Sequence, residues 1–430
     1  MLRRTGHRSR WRSRLVGPWP WPVAVGALAA SAGTGLLLLA PRSGLMAPDP
    51  VRGEELFDRE QVARARAYRR TGLLLGVAST VLQGGALLGL ARRPVVRRPG
   101  RVAWRPGVVA GDAARGAVLA AGLTAIGLPF DAIAQRRART VGLATQSWPA
   151  WRVDTAKSSG LGTIFAAATS AGLLTLMRRA PRAWWLAAAG AGVAGGAALT
   201  LLAPVLLDPV FNRFEPLANG PLRDGVFDLA RRSGVRVREV YEVDASRRTT
   251  AVNAYVTGLG PTKRVVLFDT LLARFTEEEA RVVVAHELAH VRHRDVQRGL
   301  AYLAIVAPGA LGATASLTRR LRPVTGDPDL GSLAALALVL GGVGALVGLV
   351  AAPLSRRQEV RADVFSLRLT DAAEAFISFE RKIVAENLAD PDPPRWLALG
   401  ASHPSTLARI GVARAYRRLA ADQPSASESG

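Results

Sequence analysis

A chain of 430 residues without a single cysteine excludes disulfide bridges and thiolate chemistry, so a metal site must draw on histidine and carboxylate. Its net charge of +24 comes almost wholly from arginine, with lysine only at Lys157, Lys263 and Lys382. Such a balance can mark a nucleic-acid binder. Here the arginines stand at the ends of apolar runs (Arg92 and Arg93, Arg178 and Arg179, Arg319 and Arg320), which suits lipid headgroups and leaves no nucleic-acid partner expected.

Uncharged runs cover residues 15–41, 71–91, 158–177, 183–207, 299–318 and 330–355, each near the ~20 residues that cross a bilayer. A weaker run over 107–130 carries Asp112 and Arg115, spaced to pair on one helix face. Buried helices of a soluble protein would explain one or two such runs but not seven. The chain therefore reads as mainly α, a multi-pass membrane protein with about seven transmembrane helices. Residues 1–14 are basic, and the apolar run after them is longer than the ~7–15 residues of a signal-peptide core, which makes it a retained span. Residues 42–70 mix acid and base and read as a helix or loop outside the hydrocarbon. About five spans make an N-terminal bundle over 1–207, and the Gly- and Ala-rich stretch 189–198 should allow close helix packing.

From Asp208 the composition becomes that of a water-facing domain, 208–298. A short helix over 221–232 closes at Gly234, and 235–243 alternates as a half-buried strand. Residues 251–257, a Gly-Leu-Gly-Pro turn and 263–268 form a hairpin. The sheet then leads to 276–298, which reads as one helix. Thr276 and Glu279 make a capping box, and Glu277 and Glu278 add acid at its positive end. The helix holds His286-Glu287-Leu288-Ala289-His290, with the two histidines one turn apart on one face. Three of the five histidines fall within 286–293. This is the HExxH pattern, in which two imidazoles bind zinc and the glutamate serves as general base.

Residues 299–354 form a membrane hairpin. Residues 355–422 return as charged helix, broken at 390–394 and resumed over 406–421, and 423–430 read as a disordered tail. Two histidines leave a zinc site incomplete. His293 lies on the same face but ~10 Å along the axis from His286, too far for one tetrahedral site. A better source is Gln358-Glu359-Val360-Arg361-Ala362-Asp363, where Glu359 and Asp363 share a face. One of the pair can bind metal while the other accepts the N–H of a ligand histidine. Taken alone, such a pair is more often a solvated helix face.

HELAH, together with RRQEVRADVFS after an apolar run, resembles the type I CAAX prenyl proteases. DPVFNRFEPLANGPLR, AVNAYVTGLGPTKRVVLFDTLL and SHPSTLARI are similar to further stretches of that family. The resemblance spans roughly 200–415; the first 200 residues share only hydrophobic spans. It implies a zincin-like α+β catalytic domain with a small sheet, and one Zn2+ held by His286, His290 and Glu359. It further implies Glu287 as base, Asp363 orienting a ligand histidine, and His403 stabilising the transition state. Asn253, Ala254 and Tyr255 would form the strand that receives substrate, with Arg409 at a C-terminal polar position near it.

The expected activity is metalloendopeptidase hydrolysis of an extended peptide or membrane-protein substrate, lipidated or not, at the lipid bilayer. The alternatives are a quality-control protease for damaged membrane proteins and a non-enzymatic transporter or scaffold. The latter would show matching broken helices in two halves, and only Asp112 hints at it. The arginine-rich, lysine-poor composition suits a high-GC bacterium, whose cell membrane would house the chain and where prenylated CAAX proteins are not expected. The family's catalytic face is cytosolic, which with five preceding spans puts the N-terminus outside. Arginines in 1–14 and 92–105 pull the other way; the resemblance is given precedence.

Overall fold

The computed structural model describes residues 19–94, 106–258, 260–323 and 328–422. The basic residues 1–14, most of the 92–105 connector and the tail 423–430 lie outside these. Seven of the described helices are long and apolar enough to cross a membrane. They are α1 (Trp21–Leu39), α2 (Arg59–Ala91), α3 (Pro106–Thr140), α4 (Trp148–Arg179), α5 (Trp184–Leu206), α9 (Asp295–Leu321) and α10 (Leu330–Thr370).

Several of them run further than their apolar stretches. At ~1.5 Å per residue, α2, α3, α4 and α10, of 33, 35, 32 and 41 residues, exceed the ~30 Å hydrocarbon core, so their charged ends must stand outside it. Asp58 caps α2 by accepting from the backbone N–H groups of Glu60 and Gln61, and no Gly or Pro interrupts 59–71. Of the segment 42–70, expected outside the hydrocarbon, residues 59–70 are thus charged helical turns continuous with the span. In α10 the apolar half and the charged half that carries Glu359 and Asp363 form one rod.

Asp112 on α3 pairs with Arg115, as its spacing foretold, and also with Arg178 of α4, whose Nη2 donates to Oδ1 at 2.9 Å. This ties two spans together. The tight crossings do not sit where the small-residue stretch suggested. Within 189–198 only Gly196 has a neighbour that an added Cβ would meet, Leu303 at 3.2 Å. Close backbone approaches between spans occur instead at Gly116 on α3, where a Cβ would stand 2.6 Å from the carbonyl oxygen of Ala166 on α4, and at Gly309 on α9, where it would stand 3.0 Å from the Cα of Leu28. Composition signals that close packing is allowed, whereas the facing helix decides where it occurs.

The water-facing part is a four-stranded sheet in the order β1-β2-β4-β3, with β1 (Phe214–Pro216), β2 (Glu239–Val243), β3 (Ala254–Thr257) and β4 (Arg264–Phe268). The expected hairpin is present as the antiparallel β3–β4 pair, and β2–β4 is parallel. β3 lies at the edge. Helix α6 (Pro221–Ser233) ends at Gly234, whose φ of +71° is the left-handed conformation glycine adopts without strain. Val240, Val265 and Leu267 of the sheet bury against Val284 and Leu288 of α8 (Glu277–Arg292), with α6 closing the same core. A second core joins the end of α10 to α11 (Ala373–Glu386) and α12 (Thr406–Ala421) through Leu367, Phe376 and Ile410. A short helix α7 (Asp269–Arg274) stands between the hairpin and α8.

The expected single helix over 276–298 is two. Arg294 adopts φ +58°, ending α8 after Arg292 and starting α9 at Asp295. Hydrophobic and charge periodicity runs through this point, so nothing local marked the break.

Candidate metal centre

Helix α8 begins with the capping box: Thr276 Oγ1 accepts from Glu279 N–H at 3.2 Å, and Glu279 Oε2 accepts from Thr276 N–H at 2.9 Å. Glu279 also accepts from Ser378 and Lys382, so the cap fastens α8 to α11. Ten residues on, the HExxH spacing stacks His286 and His290 edge to face, with Nε2 atoms 3.2 Å apart. From α10, Glu359 Oε2 reaches His286 Nε2 at 3.4 Å and Oε1 reaches His290 Nε2 at 3.6 Å. These separations are close to the ~3.3 Å edge of a tetrahedron with ~2.0–2.1 Å metal–ligand bonds.

Both histidines have their outer nitrogens engaged. His286 Nδ1 lies 2.9 Å from Asp363 Oδ1, and His290 Nδ1 lies 3.0 Å from Asp295 Oδ2. A carboxylate only accepts, so each Nδ1 carries the proton and each Nε2 presents a lone pair inward. Glu359 Oε2 is buried and has no hydrogen-bond partner. Three acceptors thus converge on one point with no donor among them, an arrangement that a cation satisfies and a hydrogen-bond network does not.

The charge around that point leads to the same conclusion. Glu287, Glu359, Asp363, Asp295 and Glu380 gather here, and among the described residues the guanidinium groups paired with them are those of Arg361 and Arg409. Burial opposes a charged His286, yet Asp363 and Glu359 outweigh it and raise that imidazole to about 10, so the surroundings favour positive charge at this point, which a metal ion supplies in place of the proton on Nε2. The donor set fits a borderline-soft divalent ion such as zinc, which takes imidazole nitrogen and carboxylate oxygen in four-coordinate sites.

Glu287 is half-buried beside the pair, and burial pushes its carboxyl up while the two histidines oppose the shift. It lines a cavity of 200 Å³ together with Asn253, Ala254, His286, Glu359 and His403. His403 stands on the open side, its Nε2 3.4 Å from Glu359 Oε2 and its Nδ1 2.8 Å from Ser402 Oγ. Seven of the ten residues singled out in the sequence, Arg409 among them, therefore line this one cavity, and Asp363 pairs with His286 and Arg409 at its wall.

Arg409 lines the cavity with its guanidinium committed to Asp363, at 2.6 Å and 3.0 Å, and to Glu380 at 2.5 Å. The other candidates fall elsewhere. His290 stands at the far side of the donor triangle, under Asp295. Tyr255, expected at the substrate edge, points away from the cavity: strand side chains alternate faces, and its ring packs edge-on against Phe268 at 6.5 Å. Burial, with Asp208 beside it, raises its phenol to about 12. His293 caps α8, with Nδ1 2.9 Å from Ala289 O and its ring against Phe365, and takes no part in the cluster.

Sequence reasoning missed Asp295, Arg361 and Glu380. Asp295 meets His290 only because the chain turns at Arg294, and Arg361 reaches Asp295 from 66 residues away. Glu380 is fully buried on α11, where burial and the nearby Asp363 raise it to about 7 despite Arg409. A charged residue on the apolar face of a helix was the one available signal for it.

Comparisons with known proteins place the chain among others of this build. Residues 216–417 match the model of peptidase family M48, and residues 45–213 match that of the CAAX prenyl protease N-terminal region, five membrane helices. The likeness therefore extends through the first half, where the sequence alone offered only apolar spans. An uncharacterized metalloprotease, YhfN, of Bacillus subtilis is 32% identical over 67% of this chain and 69% of its own length. A probable CAAX prenyl protease 1 of Schizosaccharomyces pombe is 32% identical over 42% of this chain and 39% of its own. The crystal structure of S. mikatae Ste24p superposes with a TM-score of 0.70 at 20% identity, covering 92% of this chain and 99% of that one.

Proposed function

The chain belongs to peptidase family M48, the family of the CAAX prenyl proteases, and from that premise we propose that its metal is one zinc ion held by His286, His290 and Glu359. It is a multi-pass membrane metallopeptidase. The observation that carries the zinc reading is the convergence of three acceptor atoms whose histidines have both outer nitrogens bound to carboxylates.

When bound, zinc supplies Lewis acidity, lowering the pKa of water and polarising a carbonyl. Glu287 lines the cavity and has no ion pair among the described residues, which suits it to take a proton from the attacking water and pass it to the leaving amine. His403, on the open side, donates to the oxygen that gains charge in the transition state. Asp363 and Asp295 hold the imidazoles in one tautomer and one orientation, and Arg409 fixes Asp363.

Substrate enters as an extended strand along β3. Phe268 N–H donates to Asn253 O, so in this antiparallel pair Asn253 and Tyr255 bond inward to β4. Ala254 and Val256 then direct their backbone groups outward, where a peptide can add as a further strand. Main-chain pairing reads few side chains, and the apolar helices beside the cavity favour a substrate with an apolar or lipidated end. On its resemblance to the CAAX prenyl proteases, we infer that the catalytic face lies in the cytoplasm.

The test is a comparison of membranes carrying the native chain or Glu287→Gln, with released peptides catalogued by mass spectrometry. Peptides from the ends of hydrophobic or lipidated chains, present only with native protein, are expected. Identical catalogues would remove the reading.

A further inference from the structure

A groove of 1440 Å³ opens on the catalytic side of the bundle, away from the metal cluster, between α2, α3 and the loop 390–399. Its upper wall is basic: Arg66, Arg69, Arg70, Arg137 and Arg395 face only two carboxylates, Asp390 and Asp392. Arg66 is bound to Asp390 at 3.2 Å, and Arg69 donates to Leu388 O at 3.1 Å. Arg70, Arg137 and Arg395 have no carboxylate partner among the described residues. Three guanidinium forks from three separate segments are left to share one opening.

Its lower wall is apolar. Leu73 and Leu74 follow Arg70 down α2, and Trp396 and Leu397 project from the loop. Trp396 is 63% exposed and Leu74 59%. The arginines mark the end of the apolar run of α2 and the last turn of α3, which is the headgroup level of the catalytic-side leaflet. Tryptophan at that level is an interface anchor. The volume exceeds the ~300–1,000 Å³ of a small-molecule pocket, leaving room for more than a headgroup.

The loop itself is held from within. Arg356 Nη1, three residues before Glu359 on α10, donates to the carbonyls of Ala398, Leu399 and Ala401, at 3.1, 3.3 and 2.8 Å. Two residues after Ala401 comes His403. Whatever occupies the groove therefore touches the outer face of a loop whose inner face is fixed to the metal-ligand helix.

We propose that this groove binds one anionic phospholipid of the catalytic-side leaflet, its phosphate held by Arg70, Arg137 and Arg395 and its acyl chains lying along Leu73, Leu74 and Trp396. Guanidinium forks match phosphate oxygens in pairs, and the excess of positive charge over the two aspartates selects a net-negative headgroup. A zwitterionic lipid fits the apolar wall equally well but leaves that excess uncompensated. The lipid packs against the outside of the loop and completes the clamp that Arg356 makes from inside.

The test uses the full-length protein in uncharged detergent, titrated with dioleoyl phosphatidylglycerol or dioleoyl phosphatidylcholine, with bound lipids counted by native mass spectrometry. Each arginine near a headgroup is worth a few-fold in affinity, so one phosphatidylglycerol per chain should bind roughly tenfold or more tighter than phosphatidylcholine. The triple variant Arg70→Gln, Arg137→Gln, Arg395→Gln should lose that preference, and its lysine counterpart should keep most of it. Trp396→Ala leaves every charge in place and should weaken phosphatidylglycerol several-fold, which covers the case of a glutamine variant that fails to fold. Equal binding of the two lipids to the native chain, or an undiminished preference in the folded glutamine variant, overturns the proposal. So does a groove that takes the apolar end of a cleaved peptide, seen as no lipid preference and a raised KM in the triple variant.

Discussion

Asp295 Oδ2 accepts the Nδ1–H of His290 at 3.0 Å, across the break that separates α8 from α9. Arg361 from α10 pairs with the other oxygen of the same carboxylate. One aspartate thus sets the orientation of a histidine and ties two helices at the metal cluster. Asp295→Ala should lower zinc affinity by roughly 10–100-fold, the usual cost of losing a carboxylate behind a ligand histidine. Competition with a coloured chelator measures it. Affinity within twofold of the native value would show that the imidazole is held by packing alone.

Glu380 gives a pH signature. Its carboxyl is raised to about 7 in the folded chain, against about 4.5 when solvated. The folded state therefore holds a proton that the unfolded state has already released between those values. Stability from this group is fully present below pH ~4.5 and is lost as pH rises through ~7. Glu380→Gln removes that loss, so the melting temperature of the variant relative to native should climb from pH 5 to pH 8. The relative gain is on the order of 2–3 kcal/mol. A difference that is flat with pH, or falls, would contradict the direction of the shift.

The edge strand makes a third prediction. Proline is tolerated at a strand position whose N–H faces outward, since no sheet bond is lost. Val256 is such a position, so Val256→Pro should leave zinc content and melting temperature near native and raise KM for peptide by about tenfold or more. An unchanged KM would exclude strand addition as the binding mode.

His293 and Glu359 separate two possible ligand sets. Glu359→Ala should lose zinc on dialysis, whereas His293→Ala should keep it, because the His293 ring is turned to Ala289 O and Phe365. Metal analysis of both variants decides between them. The opposite contents would give the third position to His293.

Much of this was legible in the sequence because it is written in short spacings. HExxH, the capping box of Thr276 and Glu279, and the E-x-x-x-D pair all act within one or two helical turns, where periodicity fixes the face. The seven spans were legible from length and lack of charge. What escaped depended on contacts distant in sequence or on a break with no local marker. Arg294 in the left-handed region carries no glycine to announce it, and only that turn brings Asp295 under His290. Arg178 meets Asp112 from 66 residues away. Which side chains of β3 face the cavity was not legible either: a strand presents alternate residues, and the set that faces inward depends on how the sheet packs on α8.

In the proposed site Glu287 moves the proton while His286, His290 and Glu359 hold the metal. Purified Glu287→Gln, assayed for zinc per chain and for peptide turnover in the same sample, separates the two roles. The expected result is one zinc per chain with turnover reduced by roughly 10²–10⁴-fold or more, the range of a lost general base. Zinc lost along with activity, or turnover retained with zinc in place, would contradict it.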